Sequence, residues 1–284
     1  MNYERIYLPL TENHPMRVFG MFSGGASSLR AMLDDPNRGD LYELVGTLTN
    51  DPKAFGIEYM ETVHIPVEKV SFKKFCRENG LDPSDSPDPN SSISRGGYSE
   101  KVIKTIESYQ PHIIALSGFM LLMPNSFLQE FNNRVLNVHP ADTAILTGPN
   151  VERLYVGNLS PTEVAILMGD NQLRRKFVGG NAVYDAVMKG EEYTLSTIFL
   201  VRPGKDTGPN IVQSRRFSVD IPQGVPPEEY SKYLQEEMKL EGDGPAYLEA
   251  LKLLATGRLG IGKDGITVFL DGGPLPYKGV QLSG

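Results

Sequence analysis

The segment from Arg17 to Leu33, RVFGMFSGGASSLRAML, holds three local patterns in succession. A short apolar run comes first, a loop of small residues follows, and a pattern with helical spacing ends the segment. Strand, glycine-containing loop and helix form the opening unit of a doubly wound α/β sheet. The segment therefore predicts an α/β fold, with a mostly parallel twisted sheet that carries helices on both faces.

The rest of the chain continues this alternation of strands and helices. Apolar runs predict strands at residues 42–48, 63–67, 112–116, 134–138, 194–201 and 210–219, and one within 266–276. Helices are predicted at 71–79, 98–108 and 227–254, the last interrupted at residues 242–245, and the Pro- and Ser-rich stretch 81–97 predicts an exposed loop. No linker divides the chain, so we expect one α/β domain over residues 1–284.

The composition is that of an ordinary globular protein and excludes several classes of function. The 284 residues are 40% hydrophobic and carry a net charge of −7, which disfavours nucleic acid or an anionic membrane as partner. A single cysteine, Cys76, excludes an internal disulfide and a cysteine-based zinc site. Residues 1–15 lack the pattern of a signal peptide, and no run approaches the roughly 18 apolar residues of a membrane span. We expect a cytoplasmic protein.

The loop Ser23-Gly24-Gly25-Ala26-Ser27-Ser28 is the first candidate binding site. Small residues let a ligand approach the backbone, and the helix that follows offers unpaired N–H groups suited to phosphate. The plainer interpretation is a tight turn with a serine as helix N-cap. The loop matches neither the dinucleotide-binding nor the P-loop pattern.

Asn137 and His139 form the second candidate site, at the end of a predicted strand and directly before Pro140. Alternation along a strand turns both side chains to one face, and ligands of α/β sheets bind at the carboxyl ends of strands. The alternative is a histidine that is satisfied within the core. With four histidines in the chain, none of them clustered, a multi-histidine metal site is not expected.

Asp206 lies in a third candidate, Lys205-Asp206-Thr207-Gly208-Pro209. The segment reads as a β-turn in isolation. It would gain a function if Asp206 were the carboxylate that holds His139 charged, since cationic imidazole donates to a developing oxyanion. Spacing alone does not join the two residues.

Taken in order, these motifs resemble the folate-dependent formyltransferases. The resemblance rests on the loop at 23–29, on Leu116-Ser117-Gly118-Phe119-Met120, on Leu136-Asn137-Val138-His139-Pro140 and on Asp206-Thr207-Gly208-Pro209. The tail, Gly257-Arg258-Leu259 and residues 269–276, is similar to the glycinamide ribonucleotide branch of that family. The resemblance implies a Rossmann-like formyltransferase fold, and an enzyme that moves a formyl group from 10-formyltetrahydrofolate to the primary amine of glycinamide ribonucleotide in purine biosynthesis, with no metal.

The resemblance also implies a role for individual residues. Asn137, His139 and Asp206 match the catalytic trio. Gly24, Gly25, Ala26, Ser27 and Ser28 match the site of the substrate phosphate, and Gly118 and Glu241 fall where that family contacts the rest of the substrate. The residues that match the folate site are Met120, Leu121, Leu122, Arg202 and Lys205.

Two departures from the family pattern leave the acceptor open. Ala141-Asp142-Thr143-Ala144 replaces the usual Ser-Leu-Leu-Pro, and Leu121 replaces an arginine. The acceptor could then be another amine, such as an amino sugar nucleotide. A homologue that binds folate or a phosphorylated metabolite without catalysis is a further alternative, and a homo-oligomer is left open.

An insertion of about thirty residues, near 149–178, also sets the chain apart. Ser160-Pro161-Thr162-Glu163 predicts a helix start with a serine N-cap, and Gly169-Asp170-Asn171 predicts its end. Arg174, Arg175 and Lys176 follow as a cationic cluster. We expect either a surface decoration or a lid or subunit contact that shapes the acceptor pocket.

Overall fold

The computed structural model describes residues 3–9 and 14–283. The interpretation of residues 1–15 as free of a signal peptide lies partly outside these residues. Among the described residues, no helix is long and apolar enough to cross a membrane.

The strands are mostly short and span the whole described chain. They are β1 Tyr3–Arg5, β2 Met16–Phe22, β3 Tyr42–Thr49, β4 Val67–Lys69, β5 Ile113–Ser117, β6 Val135–His139, β7 Ile145–Gly148, β8 Val151–Tyr155, β9 Arg174–Arg175, β10 Tyr193–Thr194, β11 Thr197–Leu200, β12 Asn210–Gln213, β13 Phe217–Ser218, β14 Leu259–Gly262, β15 Val268–Leu270, β16 Gly273–Pro274 and β17 Val280–Gln281.

The helices lie between these strands, as the alternating pattern predicts. They are α1 Ser27–Asp34, α2 Gly56–Thr62, α3 Phe72–Glu78, α4 Ile93–Glu107, α5 Asn125–Glu130, α6 Pro161–Asn171, α7 Ala182–Met188, α8 Pro227–Met238 and α9 Gly244–Ala255, with a π-helical turn Lys239–Asp243 between α8 and α9.

The chain divides into two compact units. The first unit holds the described residues of 9–137 together with 201–203. Its strands pair in the order β6-β5-β2-β3-β4, and every pairing is parallel. All residues of β5 are buried, as a parallel strand covered on both faces requires. One face packs in a core that includes Phe19, Tyr98 and Phe127.

The second unit holds the described residues of 1–8, 138–200 and 204–284. In it β12 pairs antiparallel with β11 and parallel with β17. A second small sheet joins β8, β7 and β9, and a third joins β1, β14, β15 and β16. The predicted α/β class with a mostly parallel sheet is confirmed, whereas the single domain over 1–284 stays a prediction.

Several predicted element boundaries are wrong for local reasons. The strand predicted at 63–67 begins only at Val67, because α2 reaches Thr62 and His64 has a positive φ of 59°. The loop predicted at 81–97 ends early, since the Ser92 side chain accepts a hydrogen bond from the N–H of Arg95 and starts α4. The strands predicted at 194–201 and 210–219 are each split in two.

The helical stretch 227–254 continues through the glycines that predicted an interruption. Residues 239–243 widen into the π-helical turn, and both Asp243 and Gly244 keep right-handed helical backbone angles. Pro245 follows directly on the π-helical turn and has no N–H to donate to that turn.

Candidate active site

His139 and Asp206 meet within the second unit. Nδ1 of His139 lies 3.6 Å from Oδ1 of Asp206, and the two side chains are 4% and 13% exposed. His139 ends β6, and Asp206 lies in the turn before β12. The structure thus joins two residues that sequence spacing left unconnected. At this distance the contact is an ion pair when the imidazole is protonated, and it is longer than a hydrogen bond.

The other ring nitrogen of His139 contacts the insertion. Nε2 lies 2.9 Å from the carbonyl oxygen of Phe177. A carbonyl oxygen only accepts hydrogen bonds, so Nε2 carries a proton in this arrangement. Both nitrogens of the buried ring therefore face oxygen atoms of the protein.

The pKa of His139 is lowered by its burial. Burial lowers its pKa below the ordinary 6.5, and this effect is larger than the opposing effects of the Asp206 carboxylate and the Phe177 carbonyl. The nearby cations Arg175 and Lys205 lower the pKa further. The loss of hydration at the buried ring thus lowers the pKa of the imidazole more than the Asp206 carboxylate raises it.

Asp206 is held in a left-handed backbone conformation. Its φ is 50°, a region that costs a residue other than glycine on the order of 1 kcal/mol but that Asp tolerates better than most. Oδ2 of its carboxylate accepts a hydrogen bond of 2.6 Å from the N–H of Gly179. Its backbone carbonyl accepts another, also of 2.6 Å, from Nη1 of Arg175. These contacts fix both the backbone and the carboxylate.

Asn137 lies two residues before His139 on β6, with Val138 buried between them. Asn137 is half-buried, and its side-chain amide makes no hydrogen bond to another described residue. Since β6 alternates, the amide and the imidazole leave the strand on the same side. Asn137 thus retains a free amide donor at the carboxyl end of a parallel strand.

The small-residue loop ends at a helix without a side-chain cap. The N-cap of α1 is Ala26, in a left-handed conformation with a φ of 56°, and no side chain bonds to the first turn from this position. The prediction of a serine N-cap is therefore wrong. A Cβ added at Gly24 or Gly25 would meet no atom within 4 Å. The loop thus faces open space beside the positive end of a helix dipole.

Ser28 and Ser23 link this loop to the end of β5. The N–H of Ser28 bonds to Oγ of Ser117 at 3.2 Å, and the N–H of Met120 bonds to Oγ of Ser23 at 2.9 Å. Ser23 N–H also donates to the carbonyl of Gly118, whose φ is 64°. The buried hydroxyl oxygen of Ser28 has no hydrogen-bond partner. Among the substrate-site residues inferred from resemblance, Gly118 thus lies beside the loop.

The residues matched to the folate site differ in exposure. Met120 and Leu122 are 72% and 41% exposed, and Leu121 packs partly against the core of the first unit. Arg202 is half-buried and donates from Nη2 to Oδ1 of Asn133, and burial lowers the pKa of its guanidinium. Lys205 belongs to the second unit, where it is exposed and lies over Gly179.

Glu241 lies in the π-helical turn and is exposed. Its carboxylate is paired with Nη2 of Arg215, which also contacts Glu237 at 3.3 Å. The side chain is therefore accessible to a small molecule, although it already has a cationic partner in the protein.

The predicted helix of the insertion is confirmed as α6. The Ser160 hydroxyl accepts from the N–H of Glu163, the Glu163 carboxylate accepts from the N–H of Ser160, and Pro161 takes the first helical position. Val164 packs with Leu146, Val156 and Leu173 in a small core of its own. The insertion is thus an ordered part of the second unit, while its role as lid or subunit contact stays a prediction.

The three basic residues after α6 do not form one cationic cluster. Arg174 is exposed, whereas Arg175 is 5% exposed and Lys176 is paired with the buried Glu191 at 3.0 Å. Sequence reasoning missed Arg175 because it stands between two other basic residues. The alternation of β9 could have separated the exposed Arg174 from the buried Arg175.

Asp142 gives the altered segment after His139 a buried carboxylate. It is 2% exposed and accepts hydrogen bonds from the N–H of Ala144, from Gln213 and from the hydroxyl of Tyr193. Burial raises its pKa. The Asp142 side chain is thus fixed by hydrogen bonds within the second unit.

No group of three or more His, Cys, Asp or Glu side chains among residues 3–9 and 14–283 is arranged to hold a metal ion. The thiol of Cys76 is buried within the first unit.

Part of the chain matches the model of a known protein family. Residues 16–148 match the model of the formyl transferase family. This stretch is therefore similar to the family that the motifs resemble.

The chain is also similar to several individual proteins whose names are known. The chain is 28% identical over 247 residues to the chloroplastic phosphoribosylglycinamide formyltransferase of Arabidopsis thaliana, covering 86% of this chain and 67% of the relative. It is 22% identical over 265 residues to the phosphoribosylglycinamide formyltransferase of Escherichia coli K12, covering 93% and 98%. It also matches the trifunctional purine biosynthetic protein adenosine-3 of Bos taurus and Homo sapiens, of which it spans 19% and 20%.

A solved structure shares the fold. The phosphoribosylglycinamide formyltransferase of Coxiella burnetii has a TM-score of 0.68 and 23% identity, and the match covers 95% of this chain and 100% of that one. At this identity the likeness establishes the fold, and the chemistry has to be argued from the residues.

Proposed function

We propose that this protein transfers a formyl group from 10-formyltetrahydrofolate to the primary amine of glycinamide ribonucleotide, a step of purine biosynthesis. The observation that carries the proposal is the buried pair of His139 and Asp206, 3.6 Å apart, with a proton on Nε2 of the ring. A buried imidazole beside a carboxylate is suited to moving protons and to donating to an oxyanion. The relatives named for this reaction support the choice of substrates.

The reaction defines what the protein has to supply. The folate supplies the formyl carbon, which gains a bond to the amine nitrogen and loses its bond to N10. Negative charge grows on the formyl oxygen, and one proton has to leave the attacking amine and reach the departing nitrogen. The site therefore needs hydrogen-bond donors for the oxygen and a group that relays the proton.

Asn137, His139 and Asp206 fill these needs. The free amide of Asn137 donates to the formyl oxygen, and Nε2–H of His139 becomes a second donor when that oxygen replaces the Phe177 carbonyl as its acceptor. Removal of one such donor costs about 3 kcal/mol of barrier. Asp206 accepts the surplus proton of the amine through water and returns it to the leaving nitrogen. These steps use hydrogen bonds and proton transfers, and we propose no metal.

The loop from Gly24 to Ser28 binds the phosphate of the substrate in this account. Its support is the start of α1, where Ala26 has no capping side chain and the helix dipole favours an anion, and the open space for a Cβ at Gly24 and Gly25; the N–H of Ser28 is already bonded to Oγ of Ser117. Gly118 and Glu241 contact the rest of the substrate.

Met120, Leu121 and Leu122 contact the pterin, and Arg202 and Lys205 contribute to the same cofactor site. The exposed apolar surfaces of Met120 and Leu122 fit a flat aromatic ligand, because covering them removes apolar area from water. Arg202 and Lys205 add positive charge, which suits the carboxylates of a folate.

A second candidate function keeps the chemistry and changes the acceptor. The polar network around Asp142 replaces the usual apolar segment directly after His139-Pro140, which would favour another amine, such as an amino sugar nucleotide. In either case the substrate is a small phosphorylated amine rather than nucleic acid or a membrane, and we place the reaction in the cytoplasm. We propose no particular oligomeric state.

A panel of amines tests these alternatives. The protein is incubated with 10-formyltetrahydrofolate and either glycinamide ribonucleotide or an amino sugar nucleotide, and formylated products are measured by mass spectrometry. Formylation of the sugar alone would favour the second function. Binding of folate by calorimetry without formylation of any amine would favour a homologue that binds without catalysis.

A further inference from the structure

The loop that carries Asp206 is clamped by a buried arginine. Nη1 of Arg175 donates to the carbonyl of Asp206 at 2.6 Å, and Nη2 donates to the carbonyl of Gly208 at 2.6 Å and to Oδ1 of Asn210 at 3.0 Å. We propose that Arg175 is a positioning residue that fixes this loop so that the carboxylate of Asp206 faces His139, a role that rests on the formyl transfer proposed above.

The guanidinium of Arg175 is buried and contacts groups of the protein. The residue is 5% exposed, and its guanidinium lies over the rings of Phe199 and Tyr277 at 5.4 and 5.9 Å. Nε points to the Tyr277 hydroxyl at 3.4 Å, so each of its three nitrogens faces an acceptor of the protein. These acceptors are uncharged groups, and the planar guanidinium presents its donors to two carbonyls in a fixed fork, which the single ammonium of a lysine lacks.

The hydrogen bonds from Arg175 hold a turn whose backbone has positive φ angles. Asp206 has a φ of 50° and Gly208 a φ of 125°, and Arg175 binds the carbonyls of both residues. Without the clamp the turn can relax, and the carboxylate then leaves its place beside Nδ1 of His139. The N–H of Gly179, four residues after Arg175, holds the carboxylate itself.

Arg175 also ties the Asp206 turn to the segment after His139. Oδ1 of Asn210 accepts from Arg175 and, at 2.9 Å, from the hydroxyl of Thr143. The guanidinium therefore contacts the Asp206 turn directly and reaches Thr143, in the segment after His139, through Asn210. Arg175 lies at the end of the insertion, so the insertion helps to arrange the site.

The test compares Arg175→Met and Arg175→Lys with Arg174→Met, an exposed neighbour on the same strand. We expect Arg175→Met to lower kcat about 10²-fold, the effect of a displacement near 1 Å, with the KM of both substrates unchanged. Arg175→Lys should restore only part of the loss, and Arg174→Met should have none. An unchanged kcat in folded Arg175→Met, or in Arg175→Lys if the first variant does not fold, overturns the proposal.

A double-variant cycle separates positioning from a general structural role. Asp206→Asn keeps a side chain that tolerates the left-handed conformation but removes the charge. If Arg175 acts through that carboxylate, Arg175→Met should cause a much smaller loss in the Asp206→Asn protein than in the wild type. Equal fold-losses in the two backgrounds overturn the proposal.

A measurement that does not depend on enzymatic turnover separates this inference from the proposed function. Nitrogen NMR of the His139 ring, assigned with a His139→Asn variant, reports the environment of Nδ1. We expect Arg175→Met and also Arg175→Lys, which keeps the positive charge, to shift that resonance and Arg174→Met to leave it in place. An unshifted Nδ1 overturns the positioning role, whereas absence of formyl transfer with a shifted Nδ1 would contradict only the proposed function.

Discussion

The carbonyl oxygen of Phe177 accepts a hydrogen bond from Nε2 of His139 across 2.9 Å, and the His139 side chain is 4% exposed. This contact selects the tautomer of the ring, because the proton has to lie on Nε2. It turns Nδ1 toward Asp206. Since Phe177 lies at the end of the insertion, this segment contributes a backbone group to the candidate catalytic pair.

Substitution of Gly25 tests the phosphate site. Gly25→Glu should raise the KM for the acceptor about tenfold or more, equivalent to at least 1.4 kcal/mol of binding, because a carboxylate would repel the phosphate. The affinity for folate should stay the same. Steady-state kinetics with each substrate varied in turn measures both quantities.

Gly25→Ala is the matched control for this experiment. A Cβ at Gly25 meets no atom within 4 Å, so alanine should fold and work almost normally. If Gly25→Glu instead weakened folate binding and spared the acceptor, the loop would have been assigned to the wrong ligand.

The capping box of α6 predicts a change in stability. Ser160→Ala removes the hydroxyl that accepts from the N–H of Glu163, and it should lower the free energy of unfolding by about 1 kcal/mol. Urea denaturation measures this loss. Thr162→Ala, one residue before Glu163 on the exposed side of the same helix, should cause no comparable loss. Equal effects of both variants would show that the cap is not the cause.

The buried Asp243 predicts a dependence of stability on pH. Burial raises its pKa from 3.8 to about 6, against the hydrogen bond from the Ser196 hydroxyl and the charge of Lys239. Because the folded protein binds this proton more tightly than the unfolded chain, the stabilising contribution is present below pH 3.8 and is lost as the pH rises through about 6.

Asp243→Asn removes this titration. At pH 7.5 the variant should be more stable than the wild type by about 3 kcal/mol, since one pKa unit corresponds to 1.36 kcal/mol. At pH 4 the difference should nearly vanish. Denaturation curves at both pH values give the two differences, and a difference independent of pH would rule out this origin.

The opening of the fold was predictable because its signals are local. The apolar run, glycines and helical spacing of residues 17–33 correspond to β2, the loop and α1. The strand expected at 63–67 failed because an apolar run there includes the end of α2 and a residue with positive φ, His64. Short apolar runs do not distinguish a strand from a helix end without tertiary context.

The candidate site was predictable in its residue types but not in its support. The motifs singled out His139 and Asp206, and the fold brings them together. Phe177 and Gly179 contribute through backbone groups, and the identity of a residue does not reveal such a contribution. The net effect on the pKa of His139 depends on burial, which no motif reports.

The central claim is tested most directly by the rate of formylglycinamide ribonucleotide formation from 10-formyltetrahydrofolate, measured for the wild type, His139→Ala, Asp206→Asn and the double variant. His64→Asn, at an exposed histidine, is the control. We predict rapid formation by the wild type and the control. Each single variant should be slower by about 10²- to 10³-fold, and the double variant little slower than either, because the residues act as one unit. A wild-type protein that formylates other amines but not glycinamide ribonucleotide, or a folded His139→Ala protein with normal turnover, would contradict the account.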